Sequence, residues 1–268
     1  MPAPPHTQEG LRLAALGVVR LRADNPGPLT LSGTNTWLVG RAPTWVVDPG
    51  PALPTHVDAL RRAVVELGGL GGIVLTHDHV DHSEGVQALR ERFGAPVAAA
   101  RGPVDQELVD GARVGPLEAL AVPGHAPDHM ALLAGPVCFS GDAVLGEGSV
   151  FIAADRGGLA GYLKGLRRLR ERDLQVICPG HGPPVWDPHT KLDGYVSHRQ
   201  ERERGLLAAL DQGLRSVDDL LDAAWADVPA DLRPAAAVTL GAHMDKLAEE
   251  GRLPAGVKRP HLPSWRSA

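Results

Sequence analysis

The chain is poor in sulfur and in aromatic rings. Its 268 residues include two cysteines, three methionines, five Trp, two Tyr and three Phe. Two thiols cannot build the disulfide framework of a small secreted fold. Cys138 and Cys178 stand in the apolar strand-like runs VCFSG and VICPG and read as buried core thiols, not nucleophiles. So few rings leave few platforms on which single-stranded bases could stack. No apolar stretch approaches the roughly 20 residues of a membrane span. The opening MPAPPHTQEG has neither a positive start nor a following apolar run, so it does not read as a secretory signal. The cytoplasm is the expected location, with no membrane partner. Charge of one sign is lacking too: 27 basic residues face 32 acidic ones, for a net charge of −5. The broad basic surface of a nucleic-acid binder is therefore not announced, although a local basic groove stays open.

What is present is an ordinary hydrophobic fraction of 43 %, ample for a core. The length fits one large domain or one plus a small one. From 11 to 50, LAALGVVRLRA, NTWLVG and TWVVDPG read as short strands between turns. Thr55 to Leu67 reads as a helix with Thr55 as N-cap, because Val57, Leu60, Val64 and Leu67 recur at helical spacing. GGIVLTH reads as a buried strand, about 84–93 as a helix, and PVAAA, ALAVP, ALLAG and PVCFSGD as strands. A helix over about 159–172 and the strand LQVICPGHG follow. Such an order calls for sheet layers with helices outside them, an α/β class.

The densest chemistry is LTHDHVDHSEG, where three histidines and two aspartates fall within the six positions 77 to 82. Side chains alternate along a strand, so a strand end sets His77 and His79 on one side. The turn into the next helix can bring Asp81 and His82 beside them. Imidazole and carboxylate suit zinc and neighbouring first-row metals, and one metal needs about four ligands. Three later segments can complete the set, each where an apolar strand runs out into a loop: His125 in PGHAPDH, Asp142 in FSGDAV and His181 in CPGHGP. Taken alone, a GH or GD dipeptide is a turn. Together the ligands suffice for two metals: His77, His79 and His125 on one, Asp81, His82 and His181 on the other, with Asp142 between. A water shared by metals roughly 3.5–4 Å apart ionises near pH 7 and is a ready nucleophile. Asp78 and His129 are left out of the ligand set.

The string THDHVDH, with single His, Asp and His residues downstream, resembles the metallo-β-lactamase superfamily of hydrolases over about residues 11 to 188. The resemblance implies an αββα sandwich with the site at one edge, and the metal roles just given. It implies that Asp81 both binds the second metal and steers the bridging hydroxide, which makes Asp81 and Asp142 the catalytic pair. A bridging Asp is typical of thioesterase and phosphodiesterase branches, so β-lactam or lactone hydrolysis ranks behind both. Two zinc ions are expected, with manganese or iron compatible. GTNTWLVG and VVDPG read as strand scaffolding, with Asp48 supporting the site from behind the ligands. Glu84 is expected to cap the helix that follows it. Gly146, Gly148 and Ser149 could present backbone N–H groups and a hydroxyl to a substrate anion.

After about residue 190 the character changes. Residues 189–213 read as one charged helix, Ser216 as a helix N-cap, and the helices with the trailing GRLPAGVKRPHL resemble a small winged-helix module. This region is similar to the tail of the β-lactamase-like protein 2 group, which joins endoribonuclease and carrier-thioesterase members. The expected domains are 1–190, catalytic, and 191–268, winged-helix-like. The leading expectation is a phosphodiesterase cutting single-stranded RNA, with thioester hydrolysis on acyl-carrier or acyl-coenzyme A substrates as the alternative. Ser149, His198 and Arg199 are the candidate substrate contacts. Arg252, Lys258, Arg259 and Arg266 make the extreme tail basic, yet 195–268 holds 10 basic and 11 acidic residues and is nearly neutral. A homodimer through this module is open.

Overall fold

The computed structural model describes residues 7–153 and 158–262. Arg266 and the first six residues lie outside them. The described chain divides into two compact units, one of 7–121, 128–148 and 172–188, the other of 122–127, 149–153 with 158–171, and 189–262.

The first unit opens with helix α1 (Gln8–Ala15), then β1 (Val18–Arg22), β2 (Asn35–Val39) and β3 (Thr44–Val47). Helix α2 (Pro54–Glu66) leads to β4 (Leu70–Val74), a single turn α3 (Val80–Ser83), α4 (Gly85–Phe93), β5 (Val97–Ala99) and β6 (Gln106–Glu107). Strands β7 (Arg113–Val114), β8 (Leu117–Ala121), β9 (Met130–Ala134), β10 (Val137–Gly141) and β11 (Val176–Pro179) complete it. Two sheets form, in the orders β1-β2-β3-β4-β5-β6 and β11-β10-β9-β8-β7. Trp37, Val47 and Val74 of the first meet Leu132, Phe139, Val176 and Cys178 of the second in one buried cluster. On the other face of the first sheet, Leu60 and Val64 of α2 and Leu89 of α4 cover Leu38, Val46 and Ile73. Each such buried aliphatic side chain contributes roughly 1.5–3 kcal/mol of transfer free energy.

Three local expectations change. Residues 11–15 are helical, because the Thr7 hydroxyl accepts the Gly10 N–H and caps α1 before β1 begins. Helix α2 starts a residue earlier than expected, with Leu53 as N-cap and Pro54 in the first turn, where the missing proline N–H costs nothing. The Glu84 side chain does not cap α4; it reaches back to accept the Ala52 N–H at 3.2 Å.

Two strand pairings matter for the site. β3 runs parallel to β4, with Val47 opposite Val74, and β10 runs parallel to β11. Parallel neighbours end at the same edge, so the residues just past β3, β4, β10 and β11 leave their sheets where side chains can converge.

The second unit contains α5 (Gly158–Arg170), α6 (Pro188–Asp211), α7 (Val217–Ala224), a 3₁₀ turn (Ala230–Leu232) and α8 (Arg233–Glu249). Ser216 caps α7 through the Asp219 N–H, as its sequence position implies. Leu206, Leu210, Leu220, Leu221, Leu240, Met244 and Leu247 form its core. No strand occurs among its described residues, so the likeness to a winged helix lies in the helices.

That core encloses an awkward residue. His243 is fully buried, its two ring nitrogens lack partners among the described residues, and Trp225 packs edge-on at 5.6 Å. Burial first, then Arg199 and Lys246, push its pKa well below the usual value. A depressed histidine pKa means that the unfolded chain binds the extra proton. Stability from this residue is therefore complete above about pH 6.5 and declines as pH falls below it. His243→Leu is expected to raise stability by about 1–3 kcal/mol, the cost of an unsatisfied buried polar group. The gain should be larger at pH 5 than at pH 7.5 in urea denaturation of the full chain. A variant no more stable than wild type at pH 5 would refute this.

Candidate metal centre

The centre is built at the strand ends just described. Asp48 follows β3, and Thr76 and His77 follow β4, side by side because those strands are parallel. The Asp48 carboxylate accepts the Thr76 N–H at 2.8 Å, the Thr76 hydroxyl at 2.7 Å and His82 Nδ1–H at 3.0 Å. Asp48 adopts φ +50°, a left-handed conformation uncommon for a non-glycine residue. This is the supporting role expected for Asp48.

Asp81, His82, Asp142 and His181 converge. His181 Nε2 lies 3.3 Å from an oxygen of Asp81 and 3.3 Å from Asp142 Oδ2, and His82 Nε2 lies 3.4 Å from His181 Nε2 and 3.5 Å from Asp142 Oδ1. Donor atoms about 2.1 Å from a tetrahedral cation stand roughly 3.4 Å from one another. The four side chains therefore carry the spacing of a coordination shell. The histidines present the right nitrogens as well. His82 Nδ1 is held by Asp48, and His77 Nδ1 meets the Thr76 hydroxyl at 3.0 Å, whose own proton goes to Asp48. A proton on Nδ1 leaves the Nε2 lone pair for a metal, the arrangement in which an outer carboxylate fixes the tautomer.

The electrostatics agree. Burial alone would depress His82 and His181, but Asp142 and its neighbouring carboxylates override it, holding His82 well above the usual range and His181 at about 9. Burial would raise the two carboxyls, yet His181 and His82 hold Asp142 well below its usual value and Asp81 at about 2. The carboxylates thus create a demand for positive charge, which protons meet at the histidines. A divalent cation meets it better and releases those protons on binding.

His77 and His79 lie beside this group, with ring centroids 4.5 Å apart, and His77 is 4.3 Å from His82. His125 stands on the loop 122–127 of the second unit, buried, its ring 4.5 Å from that of Phe151. Asp78 is directed away, 3.8 Å from Arg101.

Several supporting residues escaped the sequence reading. His129 stacks on His77 at 4.9 Å, and its Nε2 accepts the Asp142 N–H at 3.1 Å, so it braces two candidate ligands. The Thr34 hydroxyl donates to Asp81 Oδ2 at 3.0 Å. Asn35 donates to the carbonyls of Pro179 and Gly182, and its N–H bonds to Gly180, clamping the turn that carries His181. The signal was available in GTNTWLVG: β2 is buried along its whole length. Polar residues there must spend their hydrogen bonds on neighbours. The Gly146 N–H, expected to face a substrate anion, is instead committed to the His181 carbonyl at 2.9 Å.

In the second unit, Ser149, His198 and Arg199 do come together. Arg199 donates to Ser149 Oγ at 3.1 Å and to the Val150 carbonyl, and His198 Nδ1 lies 3.5 Å from the same hydroxyl. Arg202 Nε–H occupies His198 Nε2, so Nδ1 carries the ring proton and donates. Burial, with Arg199 and Arg202 nearby, keeps His198 neutral by lowering its pKa to about 4. This trio is therefore no serine–histidine nucleophile. The thiols offer none either: burial pushes Cys138 up to about 12 and Cys178 well above its usual value.

No helix among the described residues is long and apolar enough to cross a membrane. Residues 29–105 match the Metallo-beta-lactamase superfamily, and residues 216–254 match the Beta-lactamase associated winged helix domain. A Beta-lactamase-like protein 2 homolog of Caenorhabditis elegans is 30 % identical over 99 % of this chain and 94 % of its own length. An Atrochrysone carboxyl ACP thioesterase of Aspergillus chevalieri is 31 % identical over 80 % of this chain and 75 % of its own. The crystal structure of a metallo-beta-lactamase family protein from Thermus thermophilus superposes with a TM-score of 0.71 at 26 % identity, covering 88 % of this chain and 94 % of that one. The His and Asp groups of the present chain suit a dinuclear metal site, and the chain belongs to the metallo-beta-lactamase superfamily of metal-dependent hydrolases, among the relatives of beta-lactamase-like protein 2.

Proposed function

We propose that the chain hydrolyses thioesters of acyl groups carried on a protein or on coenzyme A, with Asp81 and Asp142 as its catalytic carboxylates. In this reading His77, His79 and His125 would hold one metal and Asp81, His82 and His181 the other, with Asp142 available to both. Metals bound there supply Lewis acidity and a water that ionises near neutral pH. The protein's own part is orientation. Thr34 fixes Asp81, Asp48 fixes His82 and His129 fixes Asp142 through its backbone. Ser149, His198 and Arg199 are the proposed substrate contacts of the second unit.

One observation carries the preference for a thioester over the RNA expected first from sequence. A polyanion needs cations free to meet phosphates. Among the cations of the second unit, Arg202 pairs with Asp227, Arg233 with Asp222, Lys246 and Arg252 with Glu203 and Glu250, and Arg259 with Asp245, so these five are committed to acids and the basic character left for a polyanion is small. The named thioesterase relative supports the same reading. RNA cleavage is the second reading, favoured by the winged-helix match at 216–254.

The test is a side-by-side assay of zinc- or manganese-loaded protein. We expect free thiol from a panel of acyl-coenzyme A and acyl-carrier substrates, no cleavage of a labelled unstructured RNA, and loss of thiol release in Asp81→Ala. RNA cutting with a silent thioester panel would reverse the order of the two readings.

A further inference from the structure

Within the second unit, the backbone of residues 150–153 is tied at three points. The Val150 carbonyl accepts from Arg199 on α6, the Ile152 N–H donates to the Thr239 hydroxyl on α8 at 3.0 Å, and the Ala153 N–H donates to the Gly124 carbonyl at 2.7 Å. Val150 and Ile152 are buried. Between them Phe151 sets its ring against that of His125, with centroids 4.5 Å apart and planes at 59°. Gly124, which receives the third bond, is the residue before His125. The segment thus touches the His125 loop twice, once at its backbone and once at the imidazole. Helix α5 shapes the same loop further back. A β-carbon at Gly124, where φ is +147°, would stand 2.7 Å from Tyr162 Cβ, and one at Gly165 would stand 2.8 Å from Val122 Cγ1. Those close approaches fix 122–124. His125 lies past them, where the ring of Phe151 reaches it.

Thr239 is the member of this arrangement that local structure does not call for. Threonine is a weak helix former, yet it sits buried in the middle of α8. Its hydroxyl donates to the Ala235 carbonyl at 3.2 Å, one turn back. That directs the proton along the helix and leaves a lone pair for the Ile152 N–H. Valine has the same shape and no oxygen. Without the oxygen a fully buried N–H loses its acceptor, and the backbone must move to find another. Any such movement passes to Phe151 and Ala153, the residues on either side, and those are the two that meet His125 and Gly124.

We propose that Thr239 is a positioning residue of the metal centre, acting through residues 150–153 on the loop that carries His125. The inference rests on the reading of His125 as a metal ligand and holds for a thioester or a phosphodiester substrate alike. It gives α8 a task inside its own chain, that of aiming a ligand.

The experiment is zinc titration of the metal-free full chain in competition with a chromophoric chelator, which resolves two binding steps. His125→Ala is measured first and should lose one step. Thr239→Val should weaken that same step at least about tenfold, as loss of an outer partner of a ligand does, and leave the other within about twofold. Thr239→Ser restores the oxygen and should bind within about threefold of wild type. Phe151→Leu leaves the three backbone ties in place, removes the ring that faces His125 and should weaken the same step. It decides the matter if circular dichroism shows that Thr239→Val does not fold. Unchanged steps in a folded Thr239→Val, or in Phe151→Leu where that variant does not fold, would overturn the proposal. So would equal weakening of both steps, which a general loosening of the fold would give, or a Thr239→Ser as weak as Thr239→Val. Two intact steps in His125→Ala would overturn the ligand reading and the proposal with it, whereas a step lost in His125→Ala beside an intact Thr239→Val sinks the proposal alone.

Discussion

Asp142→Ala is expected to lower turnover at least about a thousandfold and to reduce the metal bound per chain. The carboxylate is 7 % exposed and sits between His82 Nε2, 3.5 Å from its Oδ1, and His181 Nε2, 3.3 Å from its Oδ2. It is the charge that holds both histidines above their usual pKa values. Alanine removes a proposed ligand and an anion together from a buried position. Metal Lewis acidity contributes several kcal/mol, and about 1.4 kcal/mol is a factor of ten in rate, so a thousandfold loss is the modest end. Asp142→Asn separates the two effects, because it keeps the shape and loses the charge. It should retain the fold and still lose most of the bound metal. Metal analysis after gel filtration, beside rates on a thioester substrate, checks both variants. Full metal content and undiminished rate in Asp142→Ala would remove this residue from the centre.

Gly180→Ala is expected to damage the same centre without touching a ligand. Gly180 lies between β11 and His181, where a β-carbon would collide with Asp142 Oδ1 and stand 2.6 Å from His82 Cε1. Neither neighbour can give way easily. His82 is locked by Asp48, and the Asp142 backbone is held by His129. Gly180 itself is clamped, its N–H on the Gly141 carbonyl at 2.8 Å and its carbonyl on the Asn35 N–H at 2.7 Å. One methyl group therefore pushes ligand atoms apart. Overpacking of this kind costs about 1–3 kcal/mol of stability. Displacing catalytic groups by about 1 Å can cost on the order of a hundredfold in rate. Gly194→Ala is the control, because a β-carbon there meets nothing within 4 Å in the middle of α6. It should leave the rate unchanged and stabilise by up to about 1 kcal/mol through helix propensity. Equal activity in Gly180→Ala and wild type would show that the close packing around the ligands is not needed.

The candidate ligands were legible in the chain because several sit together or follow apolar strands. His77, His79, Asp81 and His82 share six positions, and Asp142 and His181 each leave a buried strand. The core faces of α2 and of the second unit were legible for a related reason: burial imposes a period on the side chains, and the period survives in the sequence. Residues 11–15 were not, because LRLAA carries no feature that separates a short helix from a strand. There the Thr7 cap decides, a contact spanning three residues. The state of the tail arginines was hidden as well. Arg202 and Asp227 are 25 positions apart, and Arg252 and Glu203 are 49 apart. A count of charges cannot tell a free cation from a paired one.

By itself, then, the order of residues determined most element types, the candidate metal ligands and the family, since each rests on local spacing and on which atoms can donate electron pairs. Only the tertiary structure decided which residues support the candidate ligands and which cations are spent. Those outcomes depend on distances between segments far apart along the chain, and such distances exist only once parallel strand ends and helix faces have been brought together by burial of apolar surface.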